Sequence, residues 1–200
     1  MKISRIIFLS FCLVFVYNIG ISQTITLNVS EETTMTVNGT STLHDWTSEV
    51  NTVTGTVEMG KKMVEKGKVK KGNEIKSVKI VVPVKSIISP RGATMDKKTY
   101  NALKSEEHPN IIFELNDNKV SSASGNTFSI TAHGDLTIAG KKNHVEFPIE
   151  GKIISSEKVS FTGSYKFNMT DYDMEPPTAM FGQIVTGEEI EIKFELIVLK

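Results

Sequence analysis

The chain has 200 residues, 39% of them hydrophobic, with 23 basic and 23 acidic side chains. This composition describes a folded globular chain of about one domain and excludes a disordered or fibrous protein. The balanced charge gives no footprint for nucleic acid, and the single cysteine, Cys12, excludes a disulfide framework.

The opening segment, MKISRIIFLSFCLVFVYNIGIS, carries Lys2 and Arg5, an apolar run from Ile6 to Val16, and then Gly20 and Ser22 at the small-residue positions of a signal peptidase site. The pattern predicts a cleaved secretory signal over residues 1–22 and a periplasmic or secreted mature domain over residues 23–200. A membrane anchor is disfavoured because the apolar run is shorter than the roughly 20 residues of a spanning helix. Removing two of the 23 basic residues and none of the 23 acidic ones leaves a mature charge of minus two and no cysteine.

Beyond the signal the dominant period is two, the mark of strands with one dry and one wet face. Strands are predicted at Ile25 to Val29, at Met35 to Val37 and over the stretch from Trp46 to Met59. Within TSTLHDWTSE, alternation places His44, Trp46, Ser48 and Val50 inward and Asp45, Thr47 and Glu49 in water, so His44 and Asp45 cannot act on one substrate atom. His44 is expected near one end of the interior, bonded either to a ligand head or to a backbone carbonyl. GKKMVEKGKVKKGN reads as a hairpin tip with a solvated lysine face. The next dry row holds Val78, Ile80, Val82 and Val84.

TMDKKTYNALKSEEHP is the one helix candidate, with Thr94 as cap, a stripe of Met95, Thr99 and Leu103, His108 beside the terminal carbonyls and Pro109 as stop. A strand at Ile111 to Leu115 follows, then NDNKVSSASGN as a second hairpin tip. The later dry rows run Phe128, Ile130, Ala132, Gly134, Leu136, Ile138; Val145, Phe147, Ile149, Gly151, Ile153; Val159, Phe161, Gly163, Tyr165, Phe167, Met169; and Ile190 to Val198. Pro148 on a wet face suggests an edge or bulge. TDYDMEPPTAMFGQIVTG reads as a polar rim loop at Asp171–Asp173 and then a lid carrying Met174, Met180 and Phe181.

About eight to ten amphipathic strands must pack on a second sheet or close on themselves, since exposed dry faces cost about 25 cal/mol per Å². Closure into an all-β antiparallel barrel of about eight strands, with one short helix, leaves an interior that is either just filled or able to hold one small ligand. Ala132, Gly134, Gly151 and Gly163 remove volume from inward rows and so favour a lumen; the same glycines equally suit bulges. The candidate lumen and mouth residues are His44, Trp46, Val50, Ile80, Val82, Phe113, Phe128, Ala132, Gly134, Phe147, Phe161, Tyr165, Phe167, Met180 and Phe181. Such walls suit a hydrocarbon ligand, bound by exclusion from water without catalytic apparatus.

The segment SPRGATMDKKTYNALKSEEHPNIIFEL resembles the YceI family of secreted lipid-binding proteins, whose members carry a Met-Asp helix ending in His-Pro and a strand with Ile-x-Phe. GDLTIAGKKNHVEFP and FTGSYKFNMTDYD continue the match in order. The resemblance implies a lipocalin-like barrel in the periplasm that encloses a polyisoprenoid lipid, with a transport, storage or stress role and no established catalysis. The amino-terminal MTVNGTSTLHDW departs from the family pattern of an early histidine followed by alternating Phe and Val.

Other chemistry is weakly signalled. His44, His108, His133 and His144 have no zinc-ligand spacing, and His133 with Asp135 shares a face expected in water. No cofactor beyond a bound lipid is expected, and no nucleic-acid partner. A transient contact with a membrane or membrane protein and a homodimer stay open, as do two other functions: an envelope interaction protein working through its outer face, and a hydrolase or isomerase using His44.

Overall fold

The computed structural model describes residues 24–72 and 75–200; the predicted signal lies outside them. The chain runs β1 (Thr24–Val29), β2 (Thr34–Ser41), β3 (Trp46–Val50), β4 (Thr54–Gly60), α1 (Lys61–Lys66), β5 (Ile75–Pro83), β6 (Ile87–Ile88) and α2 (Ala93–Ala102). It continues with β7 (Asn110–Ser124), β8 (Thr127–Ile138), β9 (Lys141–Ile153), β10 (Lys158–Asn168), β11 (Thr178–Ala179) and β12 (Ile184–Leu199).

These segments form an eight-stranded antiparallel barrel, because three of its strands are each broken in two. β1 and β2, β3 and β4, and β5 and β6 are successive halves of bent strands: β1 pairs with β4 while β2 pairs with β3, and β4 pairs with β5 while β3 pairs with β6. From there each strand pairs with the next through β7, β8, β9, β10 and β12. β12 closes the ring on β2 and then on β1, at Asn28↔Leu199 and Val29↔Val198.

Single backbone bonds stitch the breaks. Ser30 N–H donates to Ile197 O at 2.8 Å, Asn51 N–H to Ser86 O at 2.9 Å, and Val84 N–H to Pro109 O at 2.8 Å. Pro83 helps end β5, having no N–H for the ladder. Where β5 begins, Asn118 takes over the pairing: its amide accepts from Ile75 N–H at 2.9 Å and donates to Ile75 O at 2.7 Å.

The barrel has a sealed end and an open one. At the sealed end GKKMVEKGKVKKGN does join the paired antiparallel strands β4 and β5, but it is more than a solvated tip: α1 turns Met63 and Val64 inward, where both are buried in one core cluster with Ile25, Leu27, Val57 and Met59. Gly67, in the left-handed conformation that favours glycine, ends this helix. NDNKVSSASGN is likewise mostly strand, since β7 runs to Ser124 and the reversal takes only Gly125 and Asn126. α2 lies at the other end, above a second core cluster that includes Leu136, Ile138, Phe167, Met169 and Ile190. Gly92, not Thr94, is its N-cap, and Asp96 in its first turn accepts from Ser89 N–H at 2.7 Å.

The inward glycines are neither holes nor bulges. Gly151 lies directly opposite Phe128, and a Cβ there would overlap the Phe128 ring; Gly163 is paired with Phe194 and Gly39 with Trp46 in the same way. Gly134 seats the Phe113 ring from the neighbouring strand. Each ring takes the space that a side chain at the glycine would occupy, so the glycines are filled from the neighbouring strand.

Candidate functional site

Two cavities follow the axis. The inner one, of about 120 Å³, has only apolar and aromatic walls, among them Ile80, Val82, Phe113, Ala132, Phe147, Phe161 and Tyr165. The outer one, of about 230 Å³, opens at the mouth between α2, the β2–β3 turn and the β11–β12 hairpin. Ile111 and Ile192 line both and mark their junction.

Of the predicted residues, those seven line the inner cavity, and His44, Trp46 and Phe167 line the outer one. Five line neither. Val50 is buried in the core of the sealed half, Phe128 packs on Gly151 and edge-to-face on Phe161 at 6.1 Å, and Gly134 is covered by Phe113. Met180 and Phe181 form no lid: Met180 is 64% exposed and Phe181 fully so. Met174, from the same loop, does turn in and is buried on the mouth cavity wall.

TSTLHDWTSE is a strand only from Trp46 onward. Residues 42–45 form a turn in which the Ser41 hydroxyl donates to His44 O at 2.8 Å, so alternation does not reach His44. His44 is exposed on the rim, its Nδ1 3.0 Å from the carbonyl oxygen of Asp45, not from the carboxylate. The half-buried Trp46 donates from Nε1 to Thr40 O at 2.9 Å and lies over Gly39, which fixes it as a wall of the mouth.

The helix stripe of Met95, Thr99 and Leu103 does face the mouth. With it come Arg91 and Lys98, which sequence reasoning missed because isolated basic residues on a wet face look like ordinary surface. Lys98 donates from Nζ to Thr178 O at 2.9 Å and so ties α2 to β11. No carboxylate lines this cavity. His108 is not a helix cap; its ring packs on Gly140 in the β8–β9 turn.

The β9–β10 ladder covers only the stretch from Val159↔Ile153 to Gly163↔Ile149. Nearer the mouth, side chains hold the seam. Phe147 meets Tyr165 at 5.4 Å, Phe167 meets Tyr172 edge-to-face at 5.1 Å, and Asn143 donates to Asp171 O at 2.7 Å. Tyr172 is thus no part of a polar rim: it is fully buried, and its hydroxyl has no well-formed hydrogen bond among the described residues, although Tyr165 and Asn143 lie beside it. Burial, reinforced by the neighbouring Tyr165, pushes its phenol far above the ordinary value.

Asp135, His133, His144 and Glu146 line neither cavity. Asp135 is held below the usual carboxylate range by hydrogen bonds from Asn116 and His144, and His133 stands 3.6 Å from Glu146. Among the described residues no group of three or more His, Cys, Asp or Glu side chains gathers to hold a metal.

The model of the YceI-like domain matches residues 20–198. The chain belongs to the YceI-like family. Similar solved structures include a polyisoprenoid-binding domain from Saccharophagus degradans implicated in plant cell wall breakdown, with TM-score 0.67 and 10% identity, covering 88% of this chain and 99% of that one. Burkholderia cenocepacia BcnA is similar at TM-score 0.63 and 16% identity, over 84% of this chain and 98% of that one. The Campylobacter jejuni YceI protein is similar at TM-score 0.56 and 14% identity, over 76% of this chain and 84% of that one. No curated protein matches the chain in sequence. These likenesses establish the YceI-like barrel as the fold.

Proposed function

We propose that this YceI-like protein binds a long-chain apolar lipid of the polyisoprenoid type along the barrel axis and stores or carries it without catalysis. The inner cavity carries this reading: none of its walls offers a charged or catalytic group, so only hydrocarbon gains by entering. Chain length matters. Each buried methylene contributes about 0.8 kcal/mol, while association costs on the order of 4–15 kcal/mol, so a short hydrocarbon gains little and a long chain binds. The mouth supplies the polar end, with Ser41, His44, Arg91 and Lys98 placed to meet a ligand head. The polyisoprenoid-binding relative supports the ligand class. The signal pattern at residues 1–22 supports a periplasmic or secreted site of action, and an apolar cargo calls for transient contact with a membrane or membrane protein that supplies it.

The hydrolase or isomerase alternative has less support, since His44 faces a backbone carbonyl and no acidic side chain lines either cavity. Mass spectrometry of organic extracts from the natively purified protein tests the proposal. A stoichiometric long-chain lipid is expected, and its absence, with no uptake of added polyprenol, refutes the reading.

A further inference from the structure

We propose that the mouth end of the barrel is a membrane-docking surface that inserts Leu43, Met180 and Phe181 into a phospholipid bilayer, so that hydrocarbon passes between bilayer and cavity without crossing water. Docking rests on the lipid-binding reading and deepens it by naming the surface that supplies the ligand.

The distribution of exposed apolar side chains is the first observation. Leu43, Met95, Met180, Phe181 and Val185 are five of the six large hydrophobic residues exposed among the described residues. All five surround the mouth, while the sixth, Ile154, sits between β9 and β10 at the sealed end. Scattered apolar residues need no explanation, but a ring around one opening does.

The ring is built as one unit. Thr42 N–H donates to Val185 O at 3.0 Å, joining the β2–β3 turn to the β11–β12 hairpin, and the Lys98 bond to Thr178 joins α2 to the same hairpin. Leu43 and Met95 also line the cavity, so the apolar surface is continuous from the rim inward.

Backbone conformation is the second observation. Met180 and Phe181 adopt φ values of 50° and 54°, in the left-handed region, immediately before Gly182 at 87°. Two consecutive non-glycine residues there are costly, and neither side chain buries itself in return. The strain holds the Phe181 ring out from the tip, where an acyl layer would cover it.

Charge is the third. Arg91 and Lys98 are the cations on the mouth wall, no carboxylate joins them, and Arg91 forms no ion pair with any described residue. They complement phosphate groups at the depth where the apolar tips would enter.

Flotation of the full protein with vesicles of equal parts phosphatidylethanolamine and phosphatidylglycerol tests docking, with cavity lipid measured by mass spectrometry in the same preparations. Wild type is expected to float. Met180→Ser with Phe181→Ser, two exposed tips that line neither cavity, should lower vesicle partitioning by roughly tenfold or more while keeping the circular dichroism spectrum and cavity lipid of wild type, and Ile154→Ser should change nothing. Docking is overturned if wild type carries lipid yet does not float, or if the double variant floats as well as wild type. It is also overturned if sedimentation shows the double substitution splitting a dimer, which would make the patch an interface between copies. Flotation without cavity lipid would uphold docking and remove the cargo reading alone.

Discussion

Filling the inner cavity should separate binding from stability. Ala132 on β8 is fully buried and lines the cavity of about 120 Å³. Ala132→Leu adds about three carbon atoms on that wall, and a ligand chain then loses contact there for about three methylenes. At about 0.8 kcal/mol each, the loss is about 2.4 kcal/mol, or roughly sixtyfold in Kd. Because the new side chain enters existing space instead of a packed core, folding stability should stay within about 1 kcal/mol of wild type. The assay is titration of delipidated protein with a polyprenol, followed by quenching of Trp46, the one tryptophan, on the mouth wall. Urea unfolding of the same samples provides the control. Equal affinity and stoichiometry in the two proteins, with both folded, would refute the placement of the ligand in the inner cavity.

Asn118→Leu should leave Ile75 N–H and C=O buried and unpaired, costing about 3 kcal/mol and lowering the thermal midpoint by roughly 6–12 °C, as scanning calorimetry would show. Gly151→Ala should destabilise by about 1–2 kcal/mol through overlap with the Phe128 ring, less so with Phe128→Leu; a urea double-mutant cycle should give a coupling of about 1 kcal/mol. Tyr172 predicts an alkaline instability: with its folded-state phenol raised, its contribution is complete below the unfolded value of about 10 and is lost as pH climbs toward the folded one. Tyr172→Phe should be nearly neutral at pH 7, because the hydroxyl has no well-formed hydrogen bond, and should reduce the loss of stability above about pH 10 in pH-stepped urea titrations.

Alternation along the chain was enough to show an all-β fold with an apolar interior, because a strand buried on one face must repeat every two residues, while the pairing of β12 with β2 and β1 decided that the sheet closes on itself instead of packing on a second one. The rows through Ile80, Phe113, Ala132, Phe147, Phe161 and Tyr165 did become the inner wall. Four further things depended on contacts between residues distant in sequence. The turn at residues 42–45, tied to the β11–β12 hairpin, moved His44 from the interior to the rim. Cross-strand register, not glycine content, decided that Phe128 would cover Gly151 and Phe194 would cover Gly163. Packing against the barrel end made a short helix of a lysine-rich segment, since Met63 and Val64 had an apolar opening to close. Closure brought Lys98 on α2 with Arg91 before it, Leu43 in the β2–β3 turn and Phe181 in the β11–β12 connection to one rim. Local periodicity reports which face of a strand is dry; where loops meet, and what fills a barrel, is set by pairings that only the closed sheet brings together.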